Sequence, residues 1–329
     1  MREPIIKGQP TMAETHIDVA LTNISIAYIQ AQDTFIAAKV FPVIPVDKQT
    51  NKYFTFPKEA WFKDEAQKRT DGTETAGSGY TVSSDTYACD VWGFHKDVGA
   101  QLRANADAQI NMDRGAVQFV TQRMLMRQER QWVTDYFNIS IWGTTVTGGT
   151  NFTRWSDYVN SDPVEDIENA KEAILGVTGF MPNTIVMGYQ VWRKLKNHPD
   201  IYDRLKGVIS AGGPRVVTKQ QVAAIFEVDN LYVPQGIYAS NNEGETAAYG
   251  FIQGKSVWIG YVNPNPGLEV PSAGYTFNWT GISGGLGSSI AIDSFDIREK
   301  KTTRFEAEMS WDNKVVATDL GYFMAQVVV

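Results

Sequence analysis

Between residues 113 and 137 the apolar positions recur at helical spacing, but they do not stay on one stripe. At about 100° per residue, Val117, Val120 and Met124 fall on one side, and Trp132, Val133, Tyr136 and Phe137 on another. The pattern predicts a long helix, Asp113 to Phe137, whose two halves touch different neighbours. Arg123, Arg127 and Arg130 lie within roughly 60° of one another on a third side. That basic stripe reads either as a solvated face, with Glu129 and Asp135 nearby, or as a contact for packed nucleic acid or an acidic neighbour.

Ahead of the helix the pattern is extended. Residues 1–45 read as an arm: a polar start, one apolar-patterned stretch from Ile17 to Ile29, then VFPVIPV, whose two prolines favour an extended path. Tyr53, Phe54 and Phe56 open a β stretch, and Tyr87 to Val98 reads as its return, with Val91, Trp92 and Phe94 placing apolar groups on both faces. Residues 63–79, KDEAQKRTDGTETAGSG, then form the solvated tip of a long hairpin. A two-stranded ribbon is marginal in water, so aromatic residues such as Trp92 and Phe94 need cover. Either a neighbouring subunit or the hairpin's own domain can supply it.

After a Gly/Thr linker, amphipathic helices alternate with short apolar strands, as in an α+β domain. Asp162 is placed to cap a helix, with Pro163 at its first position and Glu165 completing a capping-box-like arrangement, and the helix should run to about Leu175. Thr184 to Met187 reads as a strand, Val191 to Lys196 and Ile201 to Leu205 as helical turns, Gln220 to Phe226 as a helix, and Leu231 to Val233 and Val257 to Val262 as strands. Phe305 to Val329 should close the chain in β structure that turns near Asp312-Asn313, with Tyr322 to Val329 buried on both faces.

Composition narrows the function classes. A chain of 329 residues with 43% hydrophobic content can bury a large core, as two domains or one domain with long extensions. With 30 basic against 37 acidic residues the net charge is -7, which argues against a dedicated nucleic-acid reader while leaving room for local basic patches. Cys89 has no second cysteine to bridge to and reads as a small buried hydrophobe. His16, His95 and His198 are too scattered for a zinc cluster, and no cofactor is expected. The start MREPIIKGQPTM has no apolar signal region, and the longest apolar run, Val40 to Val46, contains Pro42 and Pro45. No membrane span is expected, and the product should be made in the cytoplasm.

The catalytic patterns are weak. Gly281-Ile282-Ser283-Gly284-Gly285 fits the nucleophile elbow of serine hydrolases, yet every histidine precedes Ser283 and LGSS does not read as the helix such an elbow needs. Gly212-Gly213-Pro214 lacks the Gly-Lys-Ser/Thr ending of a phosphate loop. Asp162, Glu165, Asp166 and Glu168 crowd the first turns of one helix, where they complement its dipole. His198, before Pro199, should sit at a helix end and bond terminal carbonyls.

Four strings carry a resemblance: FPVIPVDKQTNKYFTF at 41–56, WSDYVNSDPVEDIENAKEAI at 155–174, PNTIVMGYQVWRKLKNHPDIYDRLK at 182–206, and the closing DNKVVATDLGYFMAQVV. Together with the order of parts, the chain resembles the major capsid proteins of tailed bacteriophages, those with the Hong Kong 97 fold. That resemblance implies an N-terminal arm (1–45), an E-loop hairpin (46–98), a P-domain with a spine helix (99–157), an A-domain (158–290) and P-domain return strands (291–329). It implies a structural protein that assembles with itself, as hexameric and pentameric capsomers, into an icosahedral shell enclosing double-stranded DNA held by non-specific contact. Scaffold, portal and decoration proteins are the further partners implied, with the virion as destination. Relatives that carry a scaffolding segment ahead of the arm differ from this chain, which has no room for one, so a separate scaffold or none is expected. Arg123, Arg127, Arg130, Trp92 and Phe94 are the candidates for assembly or lumen-facing roles. The alternatives are a nanocompartment shell of the encapsulin type, which shares the fold, and a serine-type hydrolase built on Ser283.

Overall fold

The computed structural model describes residues 30–31, 34–56, 58–106, 111–205, 217–242, 244–267, 270–283 and 290–329. The apolar-patterned stretch from Ile17 to Ile29 and the string Gly212-Gly213-Pro214 lie outside them. The chain begins with α1 (Ala37–Val40), β1 (Val43–Val46), β2 (Thr50–Thr55), α2 (Lys58–Trp61), β3 (Ser83–Ala88), β4 (Asp90–Gly99) and α3 (Ala100–Asn105). The long helix α4 (Met112–Tyr136) follows, then β5 (Thr144–Thr147), α5 (Pro163–Thr178), β6 (Thr184–Met187), α6 (Tyr189–Leu195), α7 (Pro199–Leu205), α8 (Lys219–Ile225) and β7 (Asn230–Tyr232). The last part holds β8 (Ile237–Ala239), β9 (Tyr249–Phe251), β10 (Val257–Gly260), β11 (Gly274–Trp279), α9 (Thr280–Ser283), β12 (Ala291–Ile297), β13 (Thr302–Val315) and β14 (Gly321–Ala325).

Two sheets organise these elements. In the first, the order is β1-β11-β13-β12, with β4 also paired to the long strand β13. In the second, the order is β5-β14-β10-β6-β7. Side chains alternate across a strand, and the second sheet shows the consequence. Ile185, Met187, Val257, Ile259, Tyr322 and Met324 face one core with Val164, Ile167, Ala170 and Ile174 of α5. Their neighbours Val186, Trp258 and Phe323 face a second core with Trp132, Tyr136 and Phe41. A strand apolar on both faces reads as a continuous hydrophobic run, which is why β6, β10 and β14 were visible in the sequence.

The long helix joins the sheets, because its apolar residues do sit on two sides. Val120 and Met124 pack on Ala307, Met309 and Trp311 of β13, and Ala116 packs on Val98 and Phe305, with Val117 at the edge. Trp132 and Tyr136, two turns on, meet the second sheet. Asn111 caps the helix by accepting from the Arg114 amide at 2.9 Å. On α5 the Asp162 carboxylate accepts from the amides of Val164 and Glu165 at 3.0 Å each, with Pro163 at the first position. The helix runs three residues past the expected Leu175 and stops at Gly179, whose φ of 74° is left-handed and suits glycine.

Two expectations need correction. The partner of β2 is β3, in register from Thr50↔Ala88 to Thr55↔Ser83, whereas Asp90 to Gly99 pairs with β13. The return strand therefore ends at Ala88. Beyond Cys89, which is buried under Phe277, the chain belongs to the first sheet. Second, β13 does not turn at Asp312-Asn313: Asp312 and Asn313 pair with Phe277 and Thr276 of β11, and the turn falls at a short 3₁₀ segment, Thr318–Leu320. The final strand β14 then enters the second sheet between β10 and β5, so the tail is divided between the two sheets.

Candidate assembly surfaces

The hairpin is rooted by aromatic packing and bare at its far end. At the root, Tyr87 stacks on Phe277 with centroids 4.5 Å apart, and Tyr53 meets the same ring at 5.5 Å. Tyr53 also donates its hydroxyl to Asp85 at 3.0 Å. Cys89 lies beside them, and burial pushes its thiol up to about 12, so it stays protonated and unreactive. Further out, Trp61 and Phe56 pack on Tyr80, and Lys58 is paired with Asp319. Even so, Phe54 (63%), Trp61 (56%) and Phe62 (61%) remain largely exposed. Residues 63–82 form no regular element. Large aromatic surface on a thin ribbon is what a contact with another chain covers.

The basic stripe is packed against rings. Trp92, Phe94 and Lys96 share the face of β4 turned to α4. The guanidinium of Arg127 sits 4.0 Å from the centroid of Trp92, and Trp92 stacks on Trp311 at 5.7 Å. Arg123 and Lys96 both lie over Phe119, at 5.1 and 4.9 Å, and Phe94 meets Phe119 at 5.9 Å. Arg130 covers Tyr238 at 4.4 Å. A guanidinium over a ring keeps its charge and loses little water, a favourable cation–π geometry.

The expected acidic neighbours of the stripe are engaged elsewhere. Glu129 is fully buried and turned to α1, and Asp135 accepts from Asn313 and Gln131. The ion pairs found among the described residues use Lys58, Arg103, Lys171, His198, Arg304 and Lys314. Arg123 and Arg130 are therefore exposed cations without a carboxylate among the described residues. Trp92, by contrast, is committed within the chain, and Phe94 half so. Phe119 and Tyr238 were not singled out in the sequence: Phe119 lies one turn before Arg123 on the same side of the helix, where helical spacing could have found it, whereas Tyr238 lies on a short strand whose neighbours give no sign of which face it joins.

Buried Ser161 and His198 meet the half-exposed Asp200, and their hydrogen bonds differ from those of a catalytic triad. Ser161 Oγ is 3.0 Å from His198 Nε2, and Asp200 Oδ2 is 3.3 Å from His198 Nδ1. The Asp200 amide and carboxylate both lie 3.3 Å from Nδ1. Ser161 in turn donates to the Asp157 carbonyl. A triad needs the serine hydroxyl to donate to Nε2, and here it donates to a backbone carbonyl. Burial lowers the His198 pKa and keeps the ring neutral. The ring thus bonds Ser161 and the Asp200 amide, not the helix-end carbonyls expected of it. Ser283 closes the short helix α9 after β11, where an elbow would have the helix follow the serine.

Comparison with known proteins gives this geometry a context. Residues 133–240 match the family described as phage major capsid protein E. The chain is 28% identical over 274 residues to a major capsid protein of Burkholderia phage BcepMu, covering 80% of this chain and 84% of the relative. Among solved structures, a phage-related protein from Bordetella bronchiseptica RB50 superposes with a TM-score of 0.67 at 25% identity, covering 91% of this chain and 94% of the other. A subunit of the cyanophage P-SCSP1u capsid shares the fold at a TM-score of 0.62 and 9% identity, covering 98% and 96%.

Proposed function

We infer that this chain is a phage major capsid protein and closes with copies of itself into the shell of a phage head. The observation that carries this reading is the capsid-type sequence relationship, spread over most of the chain, together with a ribbon whose aromatics stay exposed among the described residues and suit cover by another copy. In finer detail we assign residues 1–45 to an N-terminal arm, the ribbon to an E-loop lying over an adjacent subunit, α4 to the spine helix of a P-domain, residues 158–290 to an A-domain and residues 291–329 to P-domain return strands. Capsomers of six and five copies, an enclosed double-stranded DNA and assembly in the host cytoplasm follow from the same reading. Scaffold, portal and decoration proteins are its natural partners.

The nanocompartment alternative is weaker, since the sequence relative belongs to a phage and likeness of fold alone carries no cargo. No catalytic role is assigned. The exposed cations Arg123 and Arg130, with Arg127, are assigned to the shell lumen or to an acidic patch on the neighbouring copy. Light scattering across concentration and salt tests the assembly reading: particles far larger than a monomer are expected, and a strict monomer throughout overturns it. Replacing all three arginines with glutamine should weaken assembly or DNA retention more at low salt than at high salt. Ser283→Ala should leave assembly unchanged, and a hydrolytic activity that disappears in that variant would contradict the structural role.

A further inference from the structure

The segment ahead of β1 meets the long helix through apolar packing and one buried carboxylate. Glu129, on α4, is fully buried. Its Oε2 accepts from the amides of Ile36 at 2.9 Å and Ala37 at 2.8 Å, the N-cap residue and first residue of α1, which has no side-chain cap of its own. Its other oxygen, Oε1, is buried without a hydrogen-bond partner among the described residues. The surroundings are apolar: Ile36 and Ala37 enter the cluster that holds Phe41, Trp132, Tyr136, Trp142 and Trp258. From α1 the charge acting on Glu129 is Lys39. The α4 ring Tyr136 is itself held neutral by burial.

We propose that Glu129 is a proton-operated anchor, docking the junction of the N-terminal arm onto the long helix when protonated and loosening it as the carboxylate ionises. The geometry favours this because an ionised carboxylate with one oxygen unsatisfied in an apolar site is costly, whereas a neutral carboxyl still accepts both amides through Oε2. Burial accordingly pushes the carboxyl from its ordinary 4.5 up to about 7, against the two amide bonds and Lys39, which act the other way. The direction follows by linkage. Below about 4.5 Glu129 is protonated whether docked or not, so docking is strongest. Between 4.5 and 7 the undocked form is ionised and the docked form is not, so docking weakens as pH rises. Above 7 the loss is complete. This inference rests on the reading of residues 1–45 as an assembly arm for its meaning, but not for its readout.

The test is hydrogen exchange of the Ile36 and Ala37 amides in the full-length protein from pH 4.5 to 8, corrected for the intrinsic rate. Protection should fall with rising pH, by up to about tenfold per unit inside the window. Glu129→Gln, which cannot ionise, should stay protected and flat. Lys39→Met, at an exposed position, removes the cation that favours ionisation and should move the end of the fall to higher pH. Flat protection in the wild type, or an unchanged slope in Glu129→Gln, overturns the anchor. If Glu129→Gln does not fold, an unmoved window in Lys39→Met does so alone. Failure to form particles would contradict the shell reading and leave this exchange profile intact.

Discussion

Arg127 lies over Trp92 with its guanidinium carbon 4.0 Å from the ring centroid, and this pair locks the long helix to β4. The arginine is held further by donating to Gln131 at 3.0 Å, in a chain that continues to Asp135 and Asn313. Trp92→Ala removes the ring that fills the space between Arg127 and Trp311, and should cost about 3 kcal/mol. Arg127→Met keeps the stem and loses the cation, for about 1 kcal/mol. In a double-mutant cycle by denaturant unfolding the two effects should fall short of additive, since both remove the same contact.

The ion pair between Asp97 and Arg304 gives the acid limb of stability. Arg304 donates through Nε and Nη2 to the two carboxylate oxygens at 2.8 and 3.0 Å, and these bonds hold the Asp97 pKa below its ordinary value. Because the folded pKa is depressed, this stabilisation is present above the unfolded carboxylate pKa and is lost as pH falls through the folded one. Asp97→Asn should cost about 2–3 kcal/mol at neutral pH and less in acid. Melting curves at pH 7 and pH 3 check the difference. An equal cost at both would contradict it.

How much of this was legible beforehand varies by element for physical reasons. The long helix, the Asp162 cap and the strands Thr184–Met187 and Val257–Gly260 were visible because local periodicity and capping chemistry coincide with the tertiary outcome. The hairpin return was placed too far along because Ser83 to Ala88 is polar, with Tyr87 its one buried side chain. Its pairing with β2 is set by register and not by an apolar pattern. The division of the tail between two sheets was hidden for a similar reason, as β-propensity does not name a partner strand. In the candidate site, the arginine stripe was legible by angle alone, but the rings beneath it come from β4, from α4 itself and from β8, and only the fold brings them together.

The C-terminal residues are part of the core. Val327 and Val328 are buried, and Val327 donates to the Lys255 carbonyl at 2.8 Å and accepts from the Trp155 amide at 2.9 Å. Deleting residues 327–329 removes two buried valines, worth roughly 2 kcal/mol each, along with both backbone bonds. The subunit should lose most of its stability. A truncated chain that melts like the parent would show that this end is not held as described.

The ribbon tip should behave in the opposite way. Replacing residues 63–79 with a short glycine turn removes exposed polar chain and no member of the buried clusters, so the circular dichroism and melting temperature should stay close to the parent's. Particle formation should be lost. If the variant instead unfolds, the ribbon tip contributes to the subunit's own stability.

The central claim is that the chain builds a shell from copies of itself. Electron microscopy of the purified full-length protein, at concentrations where the ribbon's aromatic surface must find cover, tests it most directly. Closed shells, or rings of subunits, are the predicted images. A field of single subunits, unchanged by concentration and salt, would contradict the account.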